Sequence, residues 1–192
     1  MKHSFILKTK ILRSLSHAIS KDEFRQSLRG FNVRQMGGYW TFTATNGMML
    51  VSIQGPLCDA GVELDVILPP IIPKGEQVVT EIDTEAKTVT YKTAHVSTYA
   101  LIDAKYPAFE KVIPVQVPAK EDCMLNLSKL EGLIKSAKAY APKEYVFLSP
   151  NKKEVNILAI QNHPEWFGIL MPASGQPDIS IPKWLKSCPS PN

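Results

Sequence analysis

Cysteine is scarce: the 192-residue chain has three, Cys58, Cys123 and Cys188. They are odd in number, far apart and free of C-x-x-C spacing, which argues against a disulfide framework and for reduced thiols. Cys123 sits in an apolar run and reads as core. The four histidines, His3, His17, His95 and His163, show neither H-x-x-H nor H-E-x-x-H spacing. No metal and no cofactor is therefore expected. No apolar run reaches membrane-spanning length, and "MKHSFILKTKILRSL" lacks the uninterrupted apolar h-region and small-residue cleavage site of a secretory leader. The expected location is the cytoplasm. A Gly-rich phosphate loop is missing too. The acidic residues Asp22, Glu23, Asp83, Glu85 and Asp178 form no paired-carboxylate or triad pattern, so an enzyme is not expected.

What is present is an ordinary globular balance, 44% hydrophobic and 21% charged, enough for a real core without staples. The net charge of +4 is too small to argue nucleic acid by itself. Its distribution says more. Residues 8–29 hold Lys8, Lys10, Arg13, Lys21, Arg25 and Arg29 against Asp22 and Glu23, an excess as large as that of the whole chain.

Hydrophobic periodicity gives the organisation. "SFILKTKILRSLSHAIS" reads as a strand running into a helix, with Ile11, Leu12, Leu15 and Ile19 on one face. "FRQSLRGFNVRQM" reads as a strand broken near Gly30. "GGYWTFTAT" and "MMLVSIQ" form a hairpin about Asn46-Gly47, a strong short-range hairpin signal. Four more strands follow in "ELDVILP", "QVVTEID", "KTVTYKT" and "VSTYALID", with the proline-rich "PPIIPKGE" standing where a helix cannot easily run. The third segment returns to the first pattern. "CMLNL" is a strand, and Ser128 with Glu131 reads as a capping box opening a helix to Tyr140. That helix has an apolar face of Leu130, Leu133, Ile134 and Ala137 and a basic one of Lys129, Lys135 and Lys138. Strands in "EYVFLSP", "EVNILAI" and "WFGILMP" complete it. The predicted class is α+β, a β-α-β-β-β unit repeated with a period of about 55–60 residues, its middle copy without a helix. The expected division is 1–116 as one domain, 117–174 as half of another, and 175–192 as a Pro/Ser-rich tail.

Three stretches line up along these units: Leu28-Arg-Gly30 followed by "ATNGMMLV", then "YPAFEKVIP", then "GILMPA". In this order they resemble the sliding-clamp family, the β subunit of bacterial DNA polymerase III. The resemblance spans about Phe5 to Ala173, arranged as one clamp domain short of a helix plus half of another. It implies the DNA-clamp fold, antiparallel sheets with one basic helix per complete unit, and a non-enzymatic processivity factor of the kind a phage could carry. It also implies a groove for short peptides of polymerases and clamp loaders, with Leu28, Thr45, Gly47, Met48, Met49, Leu50, Pro107, Val112, Ile169, Met171 and Pro172 at the matching positions. Apolar walls suit an aliphatic or aromatic anchor, and methionine can repack around different partners.

This sequence departs from the family where Asn46 replaces the usual Asp and where Met48 and Met49 replace residues that are often His and Arg. The expected groove is greasier and lacks a cation to steer acidic peptides. The family's helices face double-stranded DNA, which assigns Lys8, Lys10, Arg13, Lys129, Lys135 and Lys138 to weak contacts with the phosphate backbone that read no bases. Encircling a duplex would require a homo-oligomer, and no membrane partner is expected. The alternative is a clamp-derived module that forms no ring and acts as an adaptor or decoy. In the tail, "QPDISI" loosely matches the peptides such grooves accept.

Overall fold

The computed structural model describes residues 1–59, 63–114, 125–149 and 155–173. Cys123 and Met124 of the "CMLNL" stretch, Cys188, and the tail with its "QPDISI" segment lie outside the described residues. The rest of "CMLNL" is not the expected strand, because Asn126 caps a helix that begins at Leu127.

The chain opens with β1 (Lys2–Lys8), in which His3, Phe5 and Leu7 point inward and their neighbours outward. Helix α1 (Thr9–Leu15) follows directly, burying Ile11, Leu12 and Leu15. It is shorter than the periodicity suggests. The Ser16 hydroxyl bonds back to the Arg13 carbonyl at 2.7 Å, and Ala18 N–H donates to Leu15 O at 2.8 Å, a tightened turn that ends the helix. Ile19 lies beyond it, packed on the same core.

The segment before Gly30 is not a strand. Gln26–Leu28 is a single 3-10 turn that buries Leu28. A Cβ on Gly30 would sit 2.2 Å from the Leu68 carbonyl oxygen, so glycine is required for the backbone to enter β2 (Phe31–Met36) alongside β5 (Asp65–Leu68). Strands β3 (Tyr39–Thr45) and β4 (Met49–Leu57) form the expected hairpin. Then come β6 (Gln77–Asp83), β7 (Thr88–Lys92) and β8 (Val96–Ala100), with a loop in place of a helix between β5 and β6. Helix α2 (Leu127–Tyr140) precedes β9 (Val146–Ser149), β10 (Asn156–Ile160) and β11 (His163–Leu170).

Two antiparallel sheets result. One runs β1-β6-β7-β8 and the other β5-β2-β3-β4-β11-β10-β9. The first two units exchange their leading strands: β1 pairs with β6 of the second, and β5 pairs with β2 of the first. The third unit joins through β11, which pairs with β4 from Trp166↔Ile53 to Leu170↔Met49.

Helices α1 and α2 pack side by side on one face of the seven-stranded sheet. The cap of α2 is Asn126, whose side chain accepts from Lys129 N–H, and not Ser128, whose hydroxyl donates to Asn126 Oδ1. The buried stripe of α2 is Leu133, Ser136, Ala137 and Tyr140, and Ile134 is 43% exposed. The polar residue in that stripe rotates it away from the face that hydrophobicity alone suggests. Ser136 is buried because its carbonyl accepts from the Ser14 hydroxyl at 2.9 Å, while Ser14 Oγ accepts from Trp166 Nε1 at 2.9 Å. One buried hydroxyl thus links α1, α2 and β11.

Replacing Ser14 with Ala strands the buried Trp166 N–H and should cost about 1–3 kcal/mol in urea unfolding. An unchanged midpoint would refute this role.

Candidate functional site

The β3–β4 turn stands at the centre of the candidate site. Thr45 pairs with Leu50, and Thr45 Oγ1 donates to Met49 O at 2.7 Å while accepting from Gly47 N–H at 3.1 Å. The Asn46 side chain accepts from the backbone of both Met48 and Met49, at 3.0 and 3.1 Å. Within the turn Gly47 alone takes positive φ, +87°. The turn is therefore not the two-residue form with both central residues left-handed that Asn-Gly most often makes; Asn46 acts through its side chain instead. This arrangement holds Met48 out, 44% exposed, and Met49 in.

Across the seam, Ile169 sits opposite Leu50, and Met171 N–H donates to Met48 O at 2.9 Å. Strand alternation sends Met49 and Leu170 towards the helices and Leu50 and Ile169 to the other face. On that face a second, smaller core forms around Leu28, Leu50, Ile67, Tyr106, Phe109, Val155 and Ile169. Tyr106 is buried, and burial raises its phenol well above the ordinary value. Its ring meets Phe109 edge-on at 6.2 Å. Arg34 lies over Phe109, 5.1 Å from the ring centroid, and forms ion pairs with Asp65 Oδ1, 2.9 Å from its Nε, and with Glu110. These contacts fix the loop that presents Pro107 and Val112.

Together these elements enclose an apolar cleft of about 200 Å³. Ten of the residues expected from the sequence line it: Leu28, Thr45, Gly47, Met48, Met49, Leu50, Pro107, Val112, Ile169 and Met171. Pro172 follows Met171 but is not among the lining residues. Ala108 and Phe109 also line it, and the motif match does not single them out. The signal for both is present, since they stand within "YPAFEKVIP".

A second, larger cleft of about 670 Å³ lies beyond the hairpin tip, on the helix side. Its walls come from the α1–β2 connection (His17, Lys21, Asp22, Arg25), the hairpin (Asn46, Met49) and the first turns of α2 (Lys129, Glu131, Lys135). Met49 lines both clefts. As expected from Met48 and Met49, no cation is among the described residues lining the apolar cleft. Arg25, which lines the larger cleft, comes close to the hairpin from outside, since a Cβ on Gly47 would stand 3.0 Å from Arg25 Nη1. The cation reaches the hairpin from a different segment.

The six basic residues assigned to DNA fall into two groups. Lys8, Arg13 and Lys138 are exposed around the helix pair. Lys10 is half-buried, its ammonium 3.9 Å from the Tyr140 ring centroid, and desolvation together with Lys8 lowers its pKa. Lys129 and Lys135 instead line the larger cleft, where Lys135 pairs with Glu131 at 2.8 Å. Among the described residues, no cluster of His, Cys, Asp and Glu could hold a metal ion.

Desolvation, and then the Lys135 ammonium, lower the His17 pKa below the ordinary 6.5. The folded value lies below the unfolded one, so the stability linked to His17 is complete above about pH 6.5 and falls as pH drops through the folded value. An NMR titration should place the His17 midpoint below 6.5 and find it raised in Lys135→Gln; a midpoint indifferent to Lys135 would contradict this electrostatic picture.

No family model matches the sequence, and no curated protein does. Solved structures do. The chain superposes on the DNA polymerase III β subunit of Thermotoga maritima with a TM-score of 0.71 at 13% identity, covering 90% of this chain and 66% of that one. Against the sliding clamp of Pseudomonas aeruginosa the TM-score is 0.71 at 15% identity, covering 89% and 66%. Against the β subunit of Borrelia burgdorferi it is 0.70 at 12% identity, covering 91% and 63%. The chain has the sliding-clamp fold and spans a little under two thirds of the length of these structures.

Proposed function

We propose that this chain is a clamp-like replication processivity factor that tethers a polymerase or repair partner to DNA. It acts by binding, with no catalytic step, and works in the cytoplasm. The observation that carries the reading is the apolar cleft at the β4–β11 seam. Three segments far apart in sequence, Leu28 to Leu50, Pro107 to Val112 and Ile169 to Met171, converge there on a fold shared with sliding clamps. Its size suits one or two aliphatic or aromatic side chains, and its exposed walls, Met48, Val112 and Met171, are apolar surface left open to a partner.

The two helices supply the DNA side. Lys8, Lys10, Arg13 and Lys138 surround the pair, with Lys129 and Lys135 at the end nearer the hairpin. Such contacts neutralise phosphates without reading bases, so binding is weak, salt-dependent and compatible with sliding. A chain of this length does not surround a duplex, so encirclement calls for several copies in a closed head-to-tail ring. The chain spans 63–66% of the clamps it superposes on, which favours as a second reading an adaptor that forms no ring and captures the same peptides.

Two measurements test this. Met171→Asp should weaken an apolar peptide by more than about tenfold without unfolding the protein, because it places a charge in an apolar cleft; equal affinity would overturn the groove. Light scattering at low and moderate salt should give a discrete closed oligomer. A strict monomer at tens of micromolar, roughly the range of weak interfaces, would overturn the ring and leave the adaptor.

A further inference from the structure

We propose that a third cleft, between the β5–β6 loop and the β7–β8 hairpin, binds a small aromatic carboxylate, with the ring against Tyr91 and Tyr99 and the carboxylate at Lys74. This site shares no lining residue with the two clefts at the β3–β4 hairpin and is independent of the function proposed above.

The cleft follows from what the second unit lacks. The chain leaves β1 into α1, and α2 leads into β9, but a loop connects β5 to β6. A space of about 320 Å³ remains between that loop and the last two strands of the four-stranded sheet. Ile71, Pro73 and Lys74 line one side of it, and Tyr91, Ser97 and Tyr99 the other. Strand register explains the second wall: Tyr91 lies opposite Ser97 and Val89 opposite Tyr99, so the three share one face. The loop is tied down just beyond Lys74. Gly75 O accepts from Arg13 Nη2 at 3.2 Å, and Glu76 O accepts from Thr9 N–H at 2.9 Å. Helix α1 thus holds one wall in place, and a preformed wall costs a ligand little ordering.

Two observations point to a ligand. The first is Tyr91, which lines the cleft, is 2% exposed, and has a hydroxyl with no hydrogen-bond partner among the described residues. Buried hydroxyls are as a rule partnered, so this one is available to a group that enters. Desolvation, and then Tyr99, raise its pKa, so the phenol keeps its proton and can donate it. The second is charge. Lys74 is exposed and has no carboxylate partner among the described residues, and no acidic residue is among those that line the cleft. The Tyr91 and Tyr99 rings stand 6.1 Å apart and inclined at 50°, facing an apolar wall. Such walls suit a flat ring. A simple inorganic anion would satisfy Lys74 and leave the rings unused. A plain hydrocarbon would leave both the hydroxyl and the ammonium unused. A ring with a carboxylate at one end and a polar group at the other uses all three.

The test titrates the isotope-labelled full chain with three probes: 4-hydroxyphenylacetate, phenylacetate without the ring hydroxyl, and 4-hydroxyphenylacetamide without the charge. Backbone NMR shifts should move at residues 71–74 and 91–99. The first probe should bind with a dissociation constant on the order of 0.1–1 mM, as about a dozen non-hydrogen atoms permit. Each of the others should bind about threefold to tenfold more weakly, the usual effect of one hydrogen bond or one exposed ion pair. Tyr91→Phe keeps the ring and should erase only the preference for the phenol. Lys74→Gln should erase only the preference for carboxylate over amide. Equal affinity of the three probes, or a Tyr91→Phe variant that still prefers the phenol, would overturn the proposal and leave the hydroxyl to water. No shift in this region up to about 10 mM, or shifts confined to the apolar cleft at Leu50 and Ile169, would overturn it as well and leave the groove reading untouched.

Discussion

The β4–β11 pairing is the contact on which the rest of the molecule depends. It joins a C-terminal unit of one helix and three strands to a sheet that would otherwise end at β4. Without it, α2 would have no α1 to pack on, Trp166 would lose the hydroxyl that satisfies its indole, and Ile169 would not reach Leu50. Both clefts at the β3–β4 hairpin straddle this seam. The apolar one takes Leu28 and the hairpin from one side and Ile169 and Met171 from the other. The larger one takes the α1–β2 connection from one side and the start of α2 from the other. A one-residue slip of β11 would turn Ile169 towards the helices and replace an apolar wall with Gly168 or Leu170 in the wrong place. Gly168 guards against such a slip, since a Cβ there would stand 2.7 Å from the Trp166 ring and 2.8 Å from Leu133.

The hairpin gains its precision from side chains more than from backbone pairing. Thr45 and Asn46 together accept or donate four hydrogen bonds within five residues, and none involves a neighbouring element. The turn is thus preformed, and preformed walls bind with less ordering entropy than flexible ones. The methionines it presents supply adaptability where the backbone does not. Rigid placement with deformable contacts suits the partner-binding surface proposed above.

Much of this was legible in the sequence because alternation and turn chemistry are local. Strands β3, β4, β6 and β7 follow from inward-outward patterning, and the missing helix of the second unit follows from its prolines. Leu28, Leu50, Ile169 and Met171 could be named through the order of three motifs. What failed was local competition and distant geometry. Ile19 has the right phase for α1, but the Ser16 hydroxyl takes the Arg13 carbonyl first. Ser128 and Glu131 imitate a capping box two residues too late, because Asn126 already holds the cap. Ile134 lost its place in the stripe to Ser136, whose burial depends on Ser14. Arg25 belongs to no motif around the hairpin, and its approach to Gly47 depends on how the α1–β2 connection folds back, which no spacing records.

The exchange of leading strands between the first two units reaches beyond topology. Because β1 is held by β6 and β5 by β2, neither unit has a complete sheet of its own, and the two must order together as one cooperative block. The third unit is different. It is fastened to this block by a single strand pairing and the contacts of α2, and so forms a separate layer in the hierarchy of local stability. Partial opening would proceed there, with the block intact and both clefts at the β3–β4 hairpin dissolved at once. On the function proposed above, the population of binding-competent molecules is then governed by the docking equilibrium of the last third of the chain, and not by the global stability of the fold.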